Sequence, residues 1–185
     1  MSNLIPRLSS EDMPEDLASF LAPRVKRLGY LGEFFQYTAH QPAALLSFLE
    51  FTEHLKHALP QNLSEVVILS VAVLLENDYE RIQHERLCRK LGFTGSWIQG
   101  VLSLNSDSNL LSAHEQQVQR LSIAVVQRGG RNTKAELDAV VESIGPAQAI
   151  AVLMLIGRYV SHALIVNSLD LDAPAVALAG TNGAV

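Results

Sequence analysis

An all-α fold is the expectation for this chain, and three observations lead to it. Apolar residues recur at intervals of three and four through most of its length. Proline, glycine and capping residues fall between the periodic segments, where helices start and stop. No alternating strand pattern extends beyond a few residues.

Residues 1–13 read as an arm. Pro14 can open a helix whose acidic first turn suits the dipole. Leu17, Phe20, Leu21, Val25 and Leu28 follow at helical spacing, Pro23 is expected to split or kink the segment, and Gly29 stops it. A short aromatic helix is expected from Gly32 to Ala39. Pro42 then starts a helix to about Ala58, with Leu45, Leu46, Leu49, Thr52 and Leu55 on its inner face. After a turn at Leu59-Pro60-Gln61 come two helices, over 63–75 and 78–91, the second closed by Gly92. Gly95 to Leu102 reads as a further short helix, and residues 105–109 as a loop. Ser112 caps a helix to about Gln127, which Gly129-Gly130 breaks. Thr133 caps the next, and Pro146 opens the last, to about Ser168. Residues 14–171 thus form one helical domain. Residues 172–185, rich in Ala and Gly, read as a fraying tail.

Composition narrows the function. The chain has 185 residues, a net charge of −5 and no basic block, which argues against a nucleic-acid partner. The apolar run from Ala147 to Gly157 is short for a membrane span and is followed by Arg158 and His162. Neither a membrane partner nor a secretory leader is expected. Cys88 is the only cysteine, so no internal disulfide forms, and a cytoplasmic location fits. The 48% of hydrophobic residues suggests apolar surface buried between subunits.

The chemistry concentrates in residues 65–92. Glu65 heads an apolar run, and Glu80 and His84 stand at i and i+4, on one helix face. A carboxylate beside an imidazole fixes its tautomer and tunes its pKa, as an acid–base pair requires.

This stretch resembles the carboxymuconolactone decarboxylase and alkylhydroperoxidase D superfamily. Glu65, the run Val66 to Leu75, Asn77, Tyr79-Glu80, His84 and Leu91-Gly92 carry the resemblance. In the hydroperoxidase branch a glutamate is followed by a Cys-x-x-Cys pair and then a histidine. Asn77 and Glu80 occupy the two cysteine positions here, while Glu65 and His84 match. The segment is similar to the decarboxylase-like branch, which lacks the cysteines. The resemblance implies an alkylhydroperoxidase D-like helical bundle that assembles as a trimer or hexamer. It also implies a cofactor-free decarboxylase or proton-transfer enzyme for a small carboxylated lactone or related carboxylic acid. Glu65, Glu80 and His84 would be catalytic, with His84 as proton donor, oriented by Glu80, and Glu65 completing the relay. Tyr79, Arg158 and His162 would border the substrate.

Plainer readings stand beside these. Asn62-x-x-Glu65 and Asn77-x-x-Glu80 both fit a helix capping box, as do Ser112-x-x-Glu115 and Thr133-x-x-Glu136. Arg158 can hold a substrate carboxylate or pair with Glu65 or Glu80, and the pairing is the favoured reading. Glu50, Glu53, His54 and His57 form a solvated face and not a metal site. Cys88 is a small core residue by default. Two other functions remain open: an alkylhydroperoxidase D-like antioxidant acting through Cys88, and a non-catalytic protein that binds a small ligand or partner. The first is disfavoured, because thiol cycles need a resolving thiol.

Overall fold

A computed structural model of the chain describes residues 4–173. These are helical, without strands, and fall into two compact units that divide between His54 and Leu55, inside one helix. Of the tail expected over 172–185, residues 174–185 lie outside the described residues.

In the first unit, α1 (Glu15–Leu28) buries Leu17 and Leu21. Pro14 sits one position before the helix rather than within it. Pro23 lies inside the helix, which the expected break does not interrupt. Gly29, at φ 81°, ends it in the left-handed region that glycine adopts most readily. α2 (Glu33–Thr38) buries Phe34 and Tyr37. The segment read as an arm is tied to α2: Leu8 N–H donates to Gln36 O at 3.0 Å and Arg7 pairs with Glu33 at 2.7 Å. α3 (Pro42–Ala58) carries the chain across the boundary between units.

The second unit is built around α4 (Gln61–Leu74). Every residue from Leu63 to Ala72 is buried, polar ones included. A helix apolar all round must be enclosed by others. It packs against α5 (Asp78–Lys90), α6 (Gly95–Leu102), α7 (Ala113–Arg128) and α9 (Pro146–Ser168). α8 (Lys134–Ile144) packs on α7 and α9. α9 is, by length and composition, apolar enough to cross a membrane, which the shorter run picked from sequence understates. Yet 56% of its apolar window is buried inside the chain, as in a core helix.

The turn between α4 and α5 aims the site. Glu76 takes φ 53°, and Asn77 N–H donates back to Ala72 O at 2.8 Å. This left-handed closure costs a non-glycine residue roughly 1–2 kcal/mol. It reverses the chain so that α5 starts at once. Asn77 Oδ1 then caps α5 by accepting from Glu80 N–H at 3.1 Å.

The four capping boxes expected from sequence resolve differently. Ser112 and Glu115 form a complete box. Thr133 occupies the cap position, but its hydroxyl donates to Gly130 O instead. Asn77 caps without help from the Glu80 carboxylate. Asn62 lies inside α4 and donates to Glu115, so the box with Glu65 does not form.

Glu115 therefore joins three helices. Its carboxylate accepts from Asn62 Nδ2 at 2.8 Å, Trp97 Nε1 at 3.1 Å and Ser112 N–H at 2.7 Å. Glu115→Ala leaves these donors unmet. We expect a loss of roughly 1–3 kcal/mol, read as a lower urea midpoint with an unchanged slope. An unchanged midpoint would show that the three bonds add nothing to stability.

Candidate active site

Four ionisable side chains from three helices meet in the second unit. Glu65 enters from the first turns of α4, Glu80 and His84 from α5, and His162 from α9. The His84 ring is held at both nitrogens. Nδ1 donates to Glu65 Oε2 at 2.7 Å, and Nε2 faces Glu80 Oε2 at 3.2 Å. The other Glu80 oxygen, Oε1, lies 3.0 Å from His162 Nε2. Gln61 Nε2 donates to Glu65 Oε1 at 2.9 Å and so fixes the plane of that carboxylate. The Tyr159 hydroxyl lies 3.4 Å from His84 Nε2, and its ring stands edge-on to the imidazole. The Arg158 guanidinium rests over the Tyr159 ring, 4.1 Å from its centre.

This chain is similar in structure to the debrominase Bmp8 in complex with 2,3,4-tribromopyrrole, with a TM-score of 0.83 at 14% identity, covering 98% of this chain and 97% of that one. It is also similar to an alkylhydroperoxidase AhpD core, an uncharacterized peroxidase-related protein from Ralstonia eutropha JMP134. There the TM-score is 0.80 at 13% identity over 96% of this chain and 97% of the other. A protein of unknown function from Agrobacterium tumefaciens matches at a TM-score of 0.67 and 13% identity, over 75% of this chain and 95% of its own. No protein-family model matches the sequence, and no curated protein does. The fold is the alkylhydroperoxidase D fold.

Within the alkylhydroperoxidase D fold, the residues singled out from sequence take distinct places. Glu65, Glu80, His84 and His162 converge. Tyr79 is buried, with its ring 6.3 Å from that of His162. It also lines a cleft of about 340 Å³, with Glu76, Asp78, Asn167, Asp170 and Asp172. Gln61 and His84 take the oxygens of Glu65, and His84 and His162 those of Glu80. The shorter bond to His84 comes from Glu65 and not from Glu80, which reverses the expected order of partners. Cys88 is fully buried, and its thiol faces Glu65 Oε2 at 3.6 Å. Among the described residues no three His, Cys, Asp or Glu side chains form a group that could hold a metal ion.

Sequence reasoning missed Gln61 and Tyr159. Gln61 stands four residues before Glu65, a spacing that could have suggested it. Tyr159 stands three before His162 on the same helix, but nothing in the sequence ties it to His84.

The electrostatics follow from burial and pairing. Burial alone would depress the His84 pKa, but the Glu65 and Glu80 carboxylates outweigh it and raise the imidazole from 6.5 to about 9. Burial likewise pushes both carboxyls up, and the imidazoles more than reverse this, so that Glu65 is held below and Glu80 well below the ordinary range. His162 goes the other way. Burial lowers its pKa, as do Arg158 and the charged His84, against the pull of Glu80. At neutral pH the row therefore reads carboxylate, imidazolium, carboxylate, neutral imidazole. Burial first, then the Glu65 charge, drives the Cys88 thiol far up, so it is not a thiolate.

The two histidines set opposite limbs of a stability profile. His84 gains affinity for its proton on folding. Its contribution is full below the unfolded value of 6.5 and is lost as pH rises toward about 9. His162 loses affinity, so the unfolded chain takes up the extra proton as pH falls below 6.5. The glutamates, depressed in the fold, deepen that acid limb below the ordinary carboxylate range. We expect the urea midpoint to peak near the ordinary imidazole value and to fall on both sides. His84→Gln should flatten the alkaline side. A wild-type midpoint that is level from neutral pH to mildly alkaline pH would mean that His84 is not charged in the folded chain.

Proposed function

We propose that this chain is an acid–base enzyme that decarboxylates a small carboxylated lactone or related acid by proton transfer. One observation carries the reading: an ionised imidazole lies between two carboxylates, and only one of them is sealed from solvent. Glu65 is 0% exposed, whereas Glu80 retains 9%. The accessible side of His84 is therefore its Nε2, beside Glu80 and Tyr159.

In this mechanism the substrate's carbon–carboxylate bond breaks and CO₂ departs. The electron pair stays on the ring carbon and spreads into a dienolate. His84 passes the Nε2 proton to that carbon and is left neutral, then recovers a proton from water. Glu65 holds Nδ1 throughout and stabilises the imidazolium between turnovers. Glu80 must leave Nε2 before the proton can move, so its contact with His84 belongs to the resting state. Positioned proton transfer supplies roughly 10²–10⁴-fold, or about 3–5 kcal/mol. The rest of the barrier falls to charge stabilisation of the dienolate, for which Arg158 is the nearby cation.

The thiol reading is weaker. A hydroperoxidase or a reductive dehalogenation through Cys88 starts from an accessible thiolate, and this thiol is buried beside a carboxylate.

The test is release of CO₂ from carboxylated lactones, with uptake of solvent deuterium into the product. His84→Gln should lower turnover by roughly 10²–10⁴-fold and keep the helical signal, while Cys88→Ser should leave turnover unchanged. Binding of such acids without CO₂ release would favour the non-catalytic reading. Peroxide consumption that depends on Cys88 would favour the thiol reading.

A further inference from the structure

The Glu80 carboxylate does not serve the helix that carries it. Asn77 already caps the Glu80 N–H, and the carboxylate turns away from that cap. It lies between two imidazoles from different helices. His84 on α5 offers Nε2 to one oxygen at 3.2 Å, and His162 on α9 offers Nε2 to the other at 3.0 Å. One donor for each oxygen is a two-point cradle for a planar carboxylate. Both donors are nearly sealed, and the Glu80 side chain, 12% exposed, marks the side open to solvent.

The charges around the cradle also call for an anion. Without Glu80 the His84 imidazolium keeps Glu65 on Nδ1 alone, and the Nε2–H donors of His84 and His162 are left unmet beside the Arg158 charge that acts on His162. A buried donor without an acceptor is costly. The carboxyl of Glu80 itself is held well below its ordinary range, so the cradle favours a carboxylate over a neutral acid.

We propose that the Nε2 atoms of His84 and His162 form a receptor for the carboxylate of a small acid, which the chain fills with its own Glu80 until such an acid displaces it. This rests on the proposed reaction only in naming the natural occupant as the substrate acid. Glu80 is tethered one helical turn from His84, so it competes at high effective concentration. Free carboxylates therefore bind the wild type weakly. The bound carboxylate then holds His84 Nε2 in place of Glu80, and its departure as CO₂ leaves the Nε2 proton beside the ring carbon that receives it.

The experiment removes the tethered occupant and supplies a free one. Glu80→Ala and Glu80→Ser are titrated with acetate, formate and the neutral isostere acetamide, while the imidazole resonances of His84 and His162 are followed by NMR. Saturable acetate or formate binding is expected, at least about tenfold tighter than in the wild type, moving both histidines and not reproduced by acetamide. No saturable binding, equal binding of acetamide, or a response confined to His84 would overturn the proposal. If a variant unfolds, recovery of its helical signal on adding acetate supports the receptor, and failure to recover counts against it. The outcome is separate from turnover. Acetate binding without CO₂ release by the wild type keeps the receptor and removes the decarboxylase. CO₂ release without acetate binding to the variants does the reverse.

Discussion

A fully buried, ionised carboxylate on the most enclosed helix is the constraint on which the second unit depends. Glu65 has no exposed surface and sits among Leu63, Val66 and Ile68. Left alone there, a carboxylate would take up a proton or undo the packing, because isolated buried charge costs several kcal/mol. The imidazolium of His84 removes that penalty, and Gln61 satisfies the second oxygen. Pairing with His84 fixes α5 against α4 at one register. The price appears in the connecting turn, where Glu76 is forced to positive φ so that α5 can start within three residues of α4. Site geometry and the α4–α5 packing are therefore a single problem with a single solution.

Much of the fold was legible because its punctuation is local. Gly29, Pro42, Gly92, Gly129 and Pro146 mark helix ends by steric rules that act within one turn, and the helices end within a few residues of where those rules place them. Pro23 does not split the segment: it sits inside α1, which runs from Glu15 to Leu28 and buries Leu17 and Leu21. Of the four capping boxes only the one at Ser112 forms. The Asn-x-x-Glu pattern at Asn62 assumes that the helix begins there, but Pro60 starts it earlier, and both side chains are released for tertiary contacts.

The site was legible only along single helices. Glu80 and His84 share a face by their spacing, so their contact could be read. The stronger bond runs from His84 to Glu65, nineteen residues away on another helix. Only the resemblance to a known motif connected those two beforehand. His162 was picked out as a histidine in an apolar helix needing a partner, yet nothing in the sequence named Glu80 as that partner. Tyr159 and the Arg158 guanidinium over its ring depend on how α9 is rotated against α5, which no local rule sets.

The placement of a glutamate at position 80 reaches beyond its own helix. A cysteine there would present one sulfur to one imidazole. A carboxylate presents two oxygens, and the fold supplies a donor for each, from α5 and from α9. That second donor would have nothing to bind beside a lone sulfur engaged by His84. The chemistry of this carboxylate therefore involves α9 as much as α5, and His162 follows from Glu80 in the way that His84 follows from Glu65. The row alternates carboxylate and imidazole because each added charge in so dry a place requires the next partner. It can end at a neutral ring because Arg158 and His84 together oppose a further proton on His162.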